Sequence, residues 1–233
     1  MAVPRYIEIH NTLRAKIEQG EWPTKHRLPP ERDLAAQFDV SRMTLRQAIA
    51  TLVDEGLLER RVGSGTYVAE KRVHEAALGL TSFTALMKAA GKHASSRVIS
   101  YHIQEPSSSE QERLQLAPGE QVLFMERLRF GDHEPILLEQ TTLPVSFVEP
   151  FTKSQLTQSL WETLENAGVK LGHASQEVTA AAANERLSEL LQVKRGAPVL
   201  SVRQVSLTAE GKPFEYVRSY YAGERFAFTI ERS

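Results

Sequence analysis

Apolar residues recur with a helical period in the first third of the chain. Between Tyr6 and Ile17 they stand three or four positions apart, which places them on one face of a helix over residues 5–19. Pro29 and Pro30 fit the opening of a second helix, because proline is tolerated in a first turn. The pattern therefore predicts two helices separated by a loop.

A third helix follows after a short turn, and its two faces differ in character. Ser41 is a good N-cap and Gly56 a good C-terminal stop. Between them, apolar residues at helical spacing form a buried stripe: Leu45, Ala48, Ile49, Leu52 and Val53. Polar and basic residues fall outside the stripe or at its border: Arg42, Thr44, Arg46 and Gln47. Two helices joined by a short turn, the second with a basic exposed face, predict a helix-turn-helix.

Two strand-like pieces, residues 57–62 and 66–68, flank the tripeptide Gly63, Ser64 and Gly65. Glycines at a hairpin tip supply positive φ angles and let a partner approach the backbone closely. Two arginines adjoin the tip on the first strand. The segment therefore predicts a basic hairpin, or wing, directly after the helix-turn-helix.

Taken together, these segments resemble the GntR family of bacterial transcription regulators. The resemblance covers nearly all of the first 69 residues and rests on four runs in the family's order: LPPERDLA (28–35), VSRMTLRQA (40–48), EGLL (55–58) and GSGTYV (63–68). It implies a winged helix-turn-helix on double-stranded DNA, with contacts from Arg32, Ser41, Arg42, Thr44, Arg46, Gln47, Gly63, Ser64 and Gly65. From the residues alone, the arginines could equally lie on a solvated helix face.

The rest of the chain alternates strands and helices and contains an internal repeat. Gly119 and Val122 recur as Gly196 and Val199, and both pairs are 77 positions apart (196 − 119 and 199 − 122). Each copy predicts a short helix followed by a hairpin of two long strands. Two copies would pair into one antiparallel sheet with helices on a face. Residues 70–79 carry charges without a clear period, and we predict a linker there.

This second pattern resembles the effector-binding (UTRA) domain of the HutC subfamily of GntR regulators, a relative of the chorismate lyase fold. We therefore expect an α+β chain with a winged helix-turn-helix domain at 1–69, a linker at 70–79, and an antiparallel-sheet domain for effector binding and dimerisation at 80–233. The resemblance implies a homodimeric repressor on a pseudo-palindromic operator.

Several polar residues of the second domain are of types that bind an anion. Arg127 and Arg129 lie two apart on a predicted strand, hence on one sheet face, and arginine suits bidentate phosphate binding. Helices are predicted to open near Ser82 and Ser159, the second with a capping box to Glu162. Free N–H groups at helix starts attract anions.

Within the subfamily, these residues look most like those of regulators of N-acetylglucosamine utilisation. That resemblance implies a phosphorylated amino sugar, such as glucosamine 6-phosphate or N-acetylglucosamine 6-phosphate, or else a different small anionic metabolite. The phosphate would contact Ser82, Phe83, Thr84, Arg127, Arg129 and Ser159, and the sugar Glu139, Glu215 and Tyr221. Trp161, also expected at the site, stands where a tyrosine is common.

The same residues have plainer explanations. Ser82 and Ser159 could be ordinary helix caps. The arginine pair could form ion pairs with Glu139 on the neighbouring strand, and Glu215 and Tyr221 could be cross-strand polar residues. An enzyme of lyase-like fold and a constitutive DNA-binding protein are the alternatives to a regulator. No G-x-S-x-G elbow, P-loop or Rossmann glycine run supports an enzyme, and we expect no catalytic activity.

Composition limits the remaining classes of protein. The 233 residues suffice for one large or two small domains, and the absence of cysteine excludes disulfides and Cys-based metal sites. The seven histidines lack ligand spacing, so we expect no metal and no cofactor. The net charge of −1 argues against strong non-specific DNA binding, although residues 41–53 contain two arginines and no acidic residue. No apolar run approaches the ~20 residues of a membrane span, and we expect a cytoplasmic protein.

Overall fold

The structure is a computed structural model that describes residues 4–69, 72–76 and 82–229. The chain divides into two compact units, residues 1–71 and residues 72–233. These two units correspond to the two structural parts that the sequence pattern suggested.

The N-terminal unit contains three helices and a hairpin: α1 (Arg5–Glu18), α2 (Glu31–Gln37), α3 (Arg42–Asp54), β1 (Leu58–Arg61) and β2 (Gly65–Val68). The predicted apolar faces meet in one core, to which α1 contributes Ile9 and Leu13 and α2 contributes Leu34. Leu45, Ala48, Ile49 and Leu52 of the predicted α3 stripe are buried, whereas Val53 is half-buried. The periodicity therefore identified the packed faces of all three helices.

Local signals explain where these elements begin and end. The Ser41 hydroxyl accepts a hydrogen bond from the Thr44 amide at 3.1 Å, as an N-cap does. Gly56 follows α3 with φ of +73°, a value that glycine adopts without strain. In the hairpin, Arg61 pairs with Gly65 and the two strands are antiparallel.

The C-terminal unit has the following elements: β3 (Val73–Ala76), α4 (Phe83–Ala89), β4 (Ala94–Gln104), α5 (Ser108–Leu114), β5 (Val122–Gly131), β6 (Glu134–Pro144), α6 (Val145–Val148), α7 (Lys153–Gln158), α8 (Leu160–Asn166), β7 (Leu171–Ala182), α9 (Glu185–Leu191), β8 (Pro198–Thr208), β9 (Pro213–Ala222) and β10 (Phe226–Thr229). Six strands form one antiparallel sheet in the order β4-β5-β6-β9-β8-β7. The predicted hairpins are β5–β6 and β8–β9, so the expected α+β architecture is confirmed.

Helices cover both faces of this sheet, not one face as the sequence pattern suggested. On one face, Leu123 packs in a cluster with Leu156 of α7 and Leu160 of α8. On the other face, Leu128 packs against Leu187 of α9. Because neighbouring side chains of a strand point to opposite faces, an apolar strand such as β5 requires cover on both sides.

Part of the predicted linker is a strand, which corrects the interpretation of residues 70–79. Residues Val73–Ala76 form β3, which pairs in parallel with β10, and Val73 is buried. Its partner lies about 150 positions away in the sequence, so no local pattern could have revealed the pairing. Residues 70–71 and 77–81 lie outside the described part of the chain. No helix in the described part is long and apolar enough to cross a membrane.

Candidate functional site

One pocket in the C-terminal unit brings together every residue that the sequence analysis assigned to an effector. It lies against the face of the sheet that carries α4 and α8, and it encloses about 700 Å³, counting the space open to solvent at its mouth. The predicted residues that line it are Ser82, Phe83, Thr84, Arg127, Arg129, Glu139, Ser159, Trp161, Glu215 and Tyr221. These residues come from two helix starts and three strands and converge on one space.

Arg127 is held rigidly by its neighbours within the unit. Its guanidinium Nε donates to Glu139 Oε1 at 2.9 Å, and Nη2 is ion-paired with the same oxygen. Nη1 donates to the backbone carbonyls of Leu156 (3.3 Å) and Thr157 (3.2 Å) in α7. The ion pair with Glu139, one of the two possibilities that the sequence left open, is therefore present. Arg127 also fastens α7 to the sheet.

Arg129 is less completely paired than Arg127. Its Nη1 lies 3.4 Å from Glu139 Oε2, and its guanidinium stacks 4.5 Å from the centre of the Phe83 ring. The residue is 5 % exposed, and its buried Nε has no hydrogen-bond partner among the described residues. Burial and the nearby charge of Arg127 lower the pKa of Arg129 to about 10, so it remains charged at neutral pH. A buried donor without a partner is costly, typically about 1–3 kcal/mol.

The two pocket carboxylates differ in charge. Burial alone would raise the pKa of Glu139, but the charges of Arg127 and Arg129 outweigh it and hold that pKa below its usual value. Burial raises the pKa of Glu215 to about 7, and the charge of Glu139 adds to the rise. At neutral pH, two arginines therefore face one fully ionised carboxylate and a second that is half-protonated. The pocket carries a net positive charge.

The helix starts at the pocket correspond only in part to the predicted caps. Ser82 caps α4 by accepting a hydrogen bond from the Ala85 amide at 3.2 Å. Ser159 occupies the N-cap position of α8, but its side chain makes no capping hydrogen bond, so the predicted capping box with Glu162 is wrong. The reason is that Ser159 also terminates α7, and its backbone (φ −141°, ψ 93°) serves both helices. Both helices have seven residues.

Trp161 and Tyr221 both line the pocket. The indole Nε1 of Trp161 donates to Glu215 Oε1 at 3.3 Å. The ring of Tyr221 packs on Phe226 with centroids 4.0 Å apart. The large side chain at position 161, where the resembling regulators often have tyrosine, thus reaches a carboxylate of the pocket directly.

Several polar residues of the pocket were not singled out from the sequence. Gln176, Gln204 and Ser219 line it, and the buried hydroxyl of Ser206 donates to Glu215 Oε2 at 2.7 Å. The internal repeat contained the signal for two of them. Gln204 and Ser206 stand 77 positions after Arg127 and Arg129 (204 − 127 and 206 − 129).

In the N-terminal unit, the predicted contact residues lie on an exposed surface formed by α2, α3 and the wing. The exposed members are Arg32, Ser41, Arg42, Arg46, Gln47, Gly63, Ser64 and Gly65, and Thr44 is half-exposed. Arg42 has no carboxylate within 4 Å among the described residues. Arg46, by contrast, pairs with Glu31 at 2.9 Å, and Arg32 with Asp33 at 3.0 Å. These pairs are solvent-exposed and therefore weak, so a phosphate can compete for the arginines.

Two apolar side chains on this surface were not predicted as contacts. Met43 is 71 % exposed at the second position of α3, and Val62 is fully exposed at the wing tip. Val62 lines a shallow groove together with Glu31, Arg46 and other residues of the wing. An exposed apolar group on a basic surface suits contact with a thymine methyl group.

The described residues contain no cluster of three or more His, Asp or Glu side chains that could hold a metal ion.

Comparison with known proteins shows which families share this architecture. Residues 5–68 match the model of the bacterial regulatory proteins of the gntR family, and residues 89–227 match the UTRA domain. The chain is 33 % identical over 227 residues to the HTH-type transcriptional repressor NagR of Bacillus subtilis, covering 97 % of this chain and 93 % of that protein. The chain belongs to the GntR family. The combination of the two domains is the HutC-type architecture.

Two further relatives agree with this assignment. The mannosyl-D-glycerate transport/metabolism system repressor MngR of Escherichia coli is 30 % identical, over 97 % of this chain and 95 % of that protein. The crystal structure of PhnF from Mycobacterium smegmatis superposes with a TM-score of 0.72 at 26 % identity, over 97 % of this chain and 99 % of that one. These relatives and domains are transcription regulators and not enzymes, so this GntR-family chain is a DNA-binding transcription regulator.

Proposed function

We propose that this protein is a repressor whose operator affinity is lowered by a small phosphorylated sugar, such as glucosamine 6-phosphate or N-acetylglucosamine 6-phosphate. The observation that carries the proposal is Arg129, a buried and charged arginine whose Nε meets no acceptor in the part of the chain that the structure describes. An anionic group on the ligand would supply the missing acceptor and would balance the positive charge of the pocket.

The charge of the pocket favours an anion over a neutral ligand. An uncharged sugar would leave the Nε of Arg129 unpaired and the positive charge uncompensated. A phosphate oxygen is the strongest acceptor available for a buried guanidinium, because both partners are charged. Arg127 contributes charge and holds Glu139 in place, while Arg129 has the free donor.

The sugar part of the proposal rests on the subfamily resemblance and on the pocket's remaining polar groups. Glu215, Trp161 and Tyr221 line the same space as the arginines and offer hydrogen-bonding groups to hydroxyls. MngR, one of the similar repressors, is named for the metabolism of a sugar derivative. A different small anionic metabolite is the alternative ligand, and the titrations below distinguish the two.

The DNA-binding part of the proposal is a homodimer on a pseudo-palindromic operator, acting in the cytoplasm. One winged helix-turn-helix reads only a few base pairs, and a symmetric pair matches two half-sites. The sheet of the C-terminal unit ends in two long edge strands, β4 and β7, of which β7 is exposed over most of its length. An edge strand with unpaired backbone groups suits contact with a second copy.

Calorimetry on the full-length protein tests the ligand. We expect glucosamine 6-phosphate or its N-acetyl form to bind at least about a hundredfold more tightly than the unphosphorylated sugars, a difference of roughly 2.8 kcal/mol. Arg129→Gln should remove this preference. The matched control is Arg113→Gln, which removes the same charge from the exposed α5 of the same unit. Equal binding of phosphorylated and plain sugars, or normal binding by Arg129→Gln, would contradict the proposal.

A further inference from the structure

The C-terminal unit is built from two copies of one supersecondary unit. The first copy is α4-β4-α5-β5-β6 and the second is α8-β7-α9-β8-β9. Their N-cap residues Ser82 and Ser159 are 77 positions apart, and so are Gln115 and Gln192, which end α5 and α9 in the left-handed conformation (159 − 82 and 192 − 115). The strand order is symmetric about the β6–β9 pair. The repeat is thus longer than the sequence pattern alone indicated.

The pocket lies where the two copies meet, and corresponding positions face it from both sides. The first copy presents Arg127 and Arg129 on β5, and the second has Gln204 and Ser206 at the same positions of β8. Gln204 lines the pocket, and Ser206 lies behind it and donates to the lining residue Glu215. Similarly, α4 and α8 each open at the pocket. The framework is therefore nearly symmetric, whereas the two arginines are confined to one half.

The second half is occupied by a chain of hydrogen bonds that runs in one direction. Gln176 Nε2 on β7 donates to Gln204 Oε1 at 2.6 Å, and Gln204 Nε2 donates to Ser206 Oγ at 2.8 Å. Ser206 then donates to Glu215 Oε2 at 2.7 Å, while Trp161 donates to the other oxygen of Glu215 at 3.3 Å. Each amide keeps a second N–H for another partner. The two glutamines and the serine offer neutral donors and acceptors, and the chain of hydrogen bonds ends on the carboxyl group of Glu215.

We propose that Gln204, supported by Gln176, determines specificity by binding the end of the ligand remote from its anionic group, and that this end is hydroxylated and carries no second anion. The inference rests on the proposed function, since it assigns the second half of the same pocket. A second phosphate would meet amides and a carboxyl group where the first copy provides arginines. The pocket therefore selects a sugar with one anionic end and binds it in one orientation.

The test compares two probes on the full-length protein: N-acetylglucosamine 6-phosphate, which would fill both halves, and inorganic phosphate, which would fill only the arginine half. Gln204→Ala should lower the affinity for the sugar phosphate at least tenfold and leave that for inorganic phosphate within twofold. Gln176→Ala should act in the same direction by about threefold. Because Gln176 is exposed on an edge strand, we expect Gln176→Ala to fold, and it therefore tests the proposal even if Gln204→Ala does not fold.

The matched control is Arg203→Ala. Arg203 lies on the same strand as Gln204 but on the opposite face, where it pairs with Glu177 of the neighbouring strand β7. It should leave both affinities unchanged. Fructose 1,6-bisphosphate, which has an anion at each end, should bind wild type at least tenfold more weakly than N-acetylglucosamine 6-phosphate.

The outcomes separate two kinds of failure. If wild type binds no phosphorylated sugar, the proposed function fails and this inference fails with it. If wild type binds the sugar phosphate but both glutamine variants keep the wild-type ratio of the two affinities, the specificity role is overturned while the proposed function stands. An equal loss of affinity for both probes in the glutamine variants would also overturn it, because Gln204 and Gln176 would then only stabilise the structure of the pocket.

Discussion

The two units use arginine in opposite ways. In the N-terminal unit, Arg32, Arg42 and Arg46 lie in solvent, and the ion pairs that two of them make are exposed. In the C-terminal unit, Arg127 and Arg129 are buried, with 3 % and 5 % of their surfaces exposed, and share one carboxylate, Glu139. The residue type is the same, but its solvation differs almost completely.

This difference corresponds to the size of the partner that each surface fits. DNA brings a large, hydrated array of phosphates, so side chains that contact it can remain solvated until it arrives, and its binding is sensitive to salt. When a small ligand binds, the contacts within one pocket must offset the free energy lost by removing the ligand's hydration shell. Buried and preorganised charges are suited to that task, because they are screened little and lose no conformational freedom on binding. The following changes test this comparison.

The largest effect on stability is expected from the carboxylate shared by the buried arginines. Glu139→Ala would leave two buried cations without their ionised partner, and loss of one member of a buried ion pair costs about 3–5 kcal/mol. The matched change in the other unit is Glu31→Ala, which removes the partner of the exposed Arg46 and should cost about 0–1 kcal/mol. Urea denaturation of both variants measures the contrast. Similar losses for the two would show that burial does not distinguish the two sets of arginines.

The next effect depends on pH. The folded state raises the pKa of Glu215 from 4.5 to about 7, so this carboxyl group stabilises the fold fully below pH 4.5, and its contribution is lost as the pH rises through 7. Glu139, whose pKa is lowered, contributes in the opposite sense and loses its effect as the pH falls. Glu215→Gln removes only the first contribution. Relative to wild type, the variant should therefore gain up to about 3 kcal/mol of stability between pH 4.5 and pH 8.

Denaturation curves of wild type and Glu215→Gln across this pH range provide the measurement. The natural control is Glu210→Gln, at the exposed turn between β8 and β9, which should show no such rise with pH. A constant difference between wild type and Glu215→Gln would mean that Glu215 ionises as it does in the unfolded chain.

A smaller effect is expected at the DNA surface. Arg42→Ala should weaken operator binding by about 1–3 kcal/mol while changing the affinity for a scrambled duplex less, because an arginine that reads a guanine adds discrimination. Arg32→Ala should weaken both duplexes about equally, as expected for a phosphate contact. Anisotropy titrations of the two duplexes at fixed salt decide this. Unchanged binding by both variants would place the DNA on another face.

The sequence was most informative where structure is local. The three N-terminal helices, their buried stripe and the Ser41 cap follow from spacing and capping residues within about fifteen positions of each other. The hairpin turns of the second unit are equally local. The strand Val73–Ala76 was missed because its partner lies at the far end of the chain, and the capping box at Ser159 was wrong because two helices meet at that residue.

Membership of the pocket could also be predicted, but its internal chemistry could not. All ten predicted residues line it, since strand parity and the subfamily resemblance select positions that face one space. The pairing of Arg127 with two carbonyls of α7, and the contact of Trp161 with Glu215, depend on side-chain distances across elements. Gln204 could have been found by extending the repeat from its glycines to its strands. Its partner Gln176 required the sheet register.

The most direct test of the central claim measures operator affinity with and without ligand. A duplex selected from a random pool for tight binding is titrated with wild type and with Arg129→Gln, in the absence and presence of saturating N-acetylglucosamine 6-phosphate or glucosamine 6-phosphate. We expect the effective sugar phosphate to lower the wild-type affinity at least tenfold, and the operator to lower the affinity for the ligand by the same factor, as linkage requires. Arg129→Gln should hold the operator equally well under both conditions. A wild-type affinity that neither sugar phosphate changes, or release of Arg129→Gln by the ligand, would contradict the account.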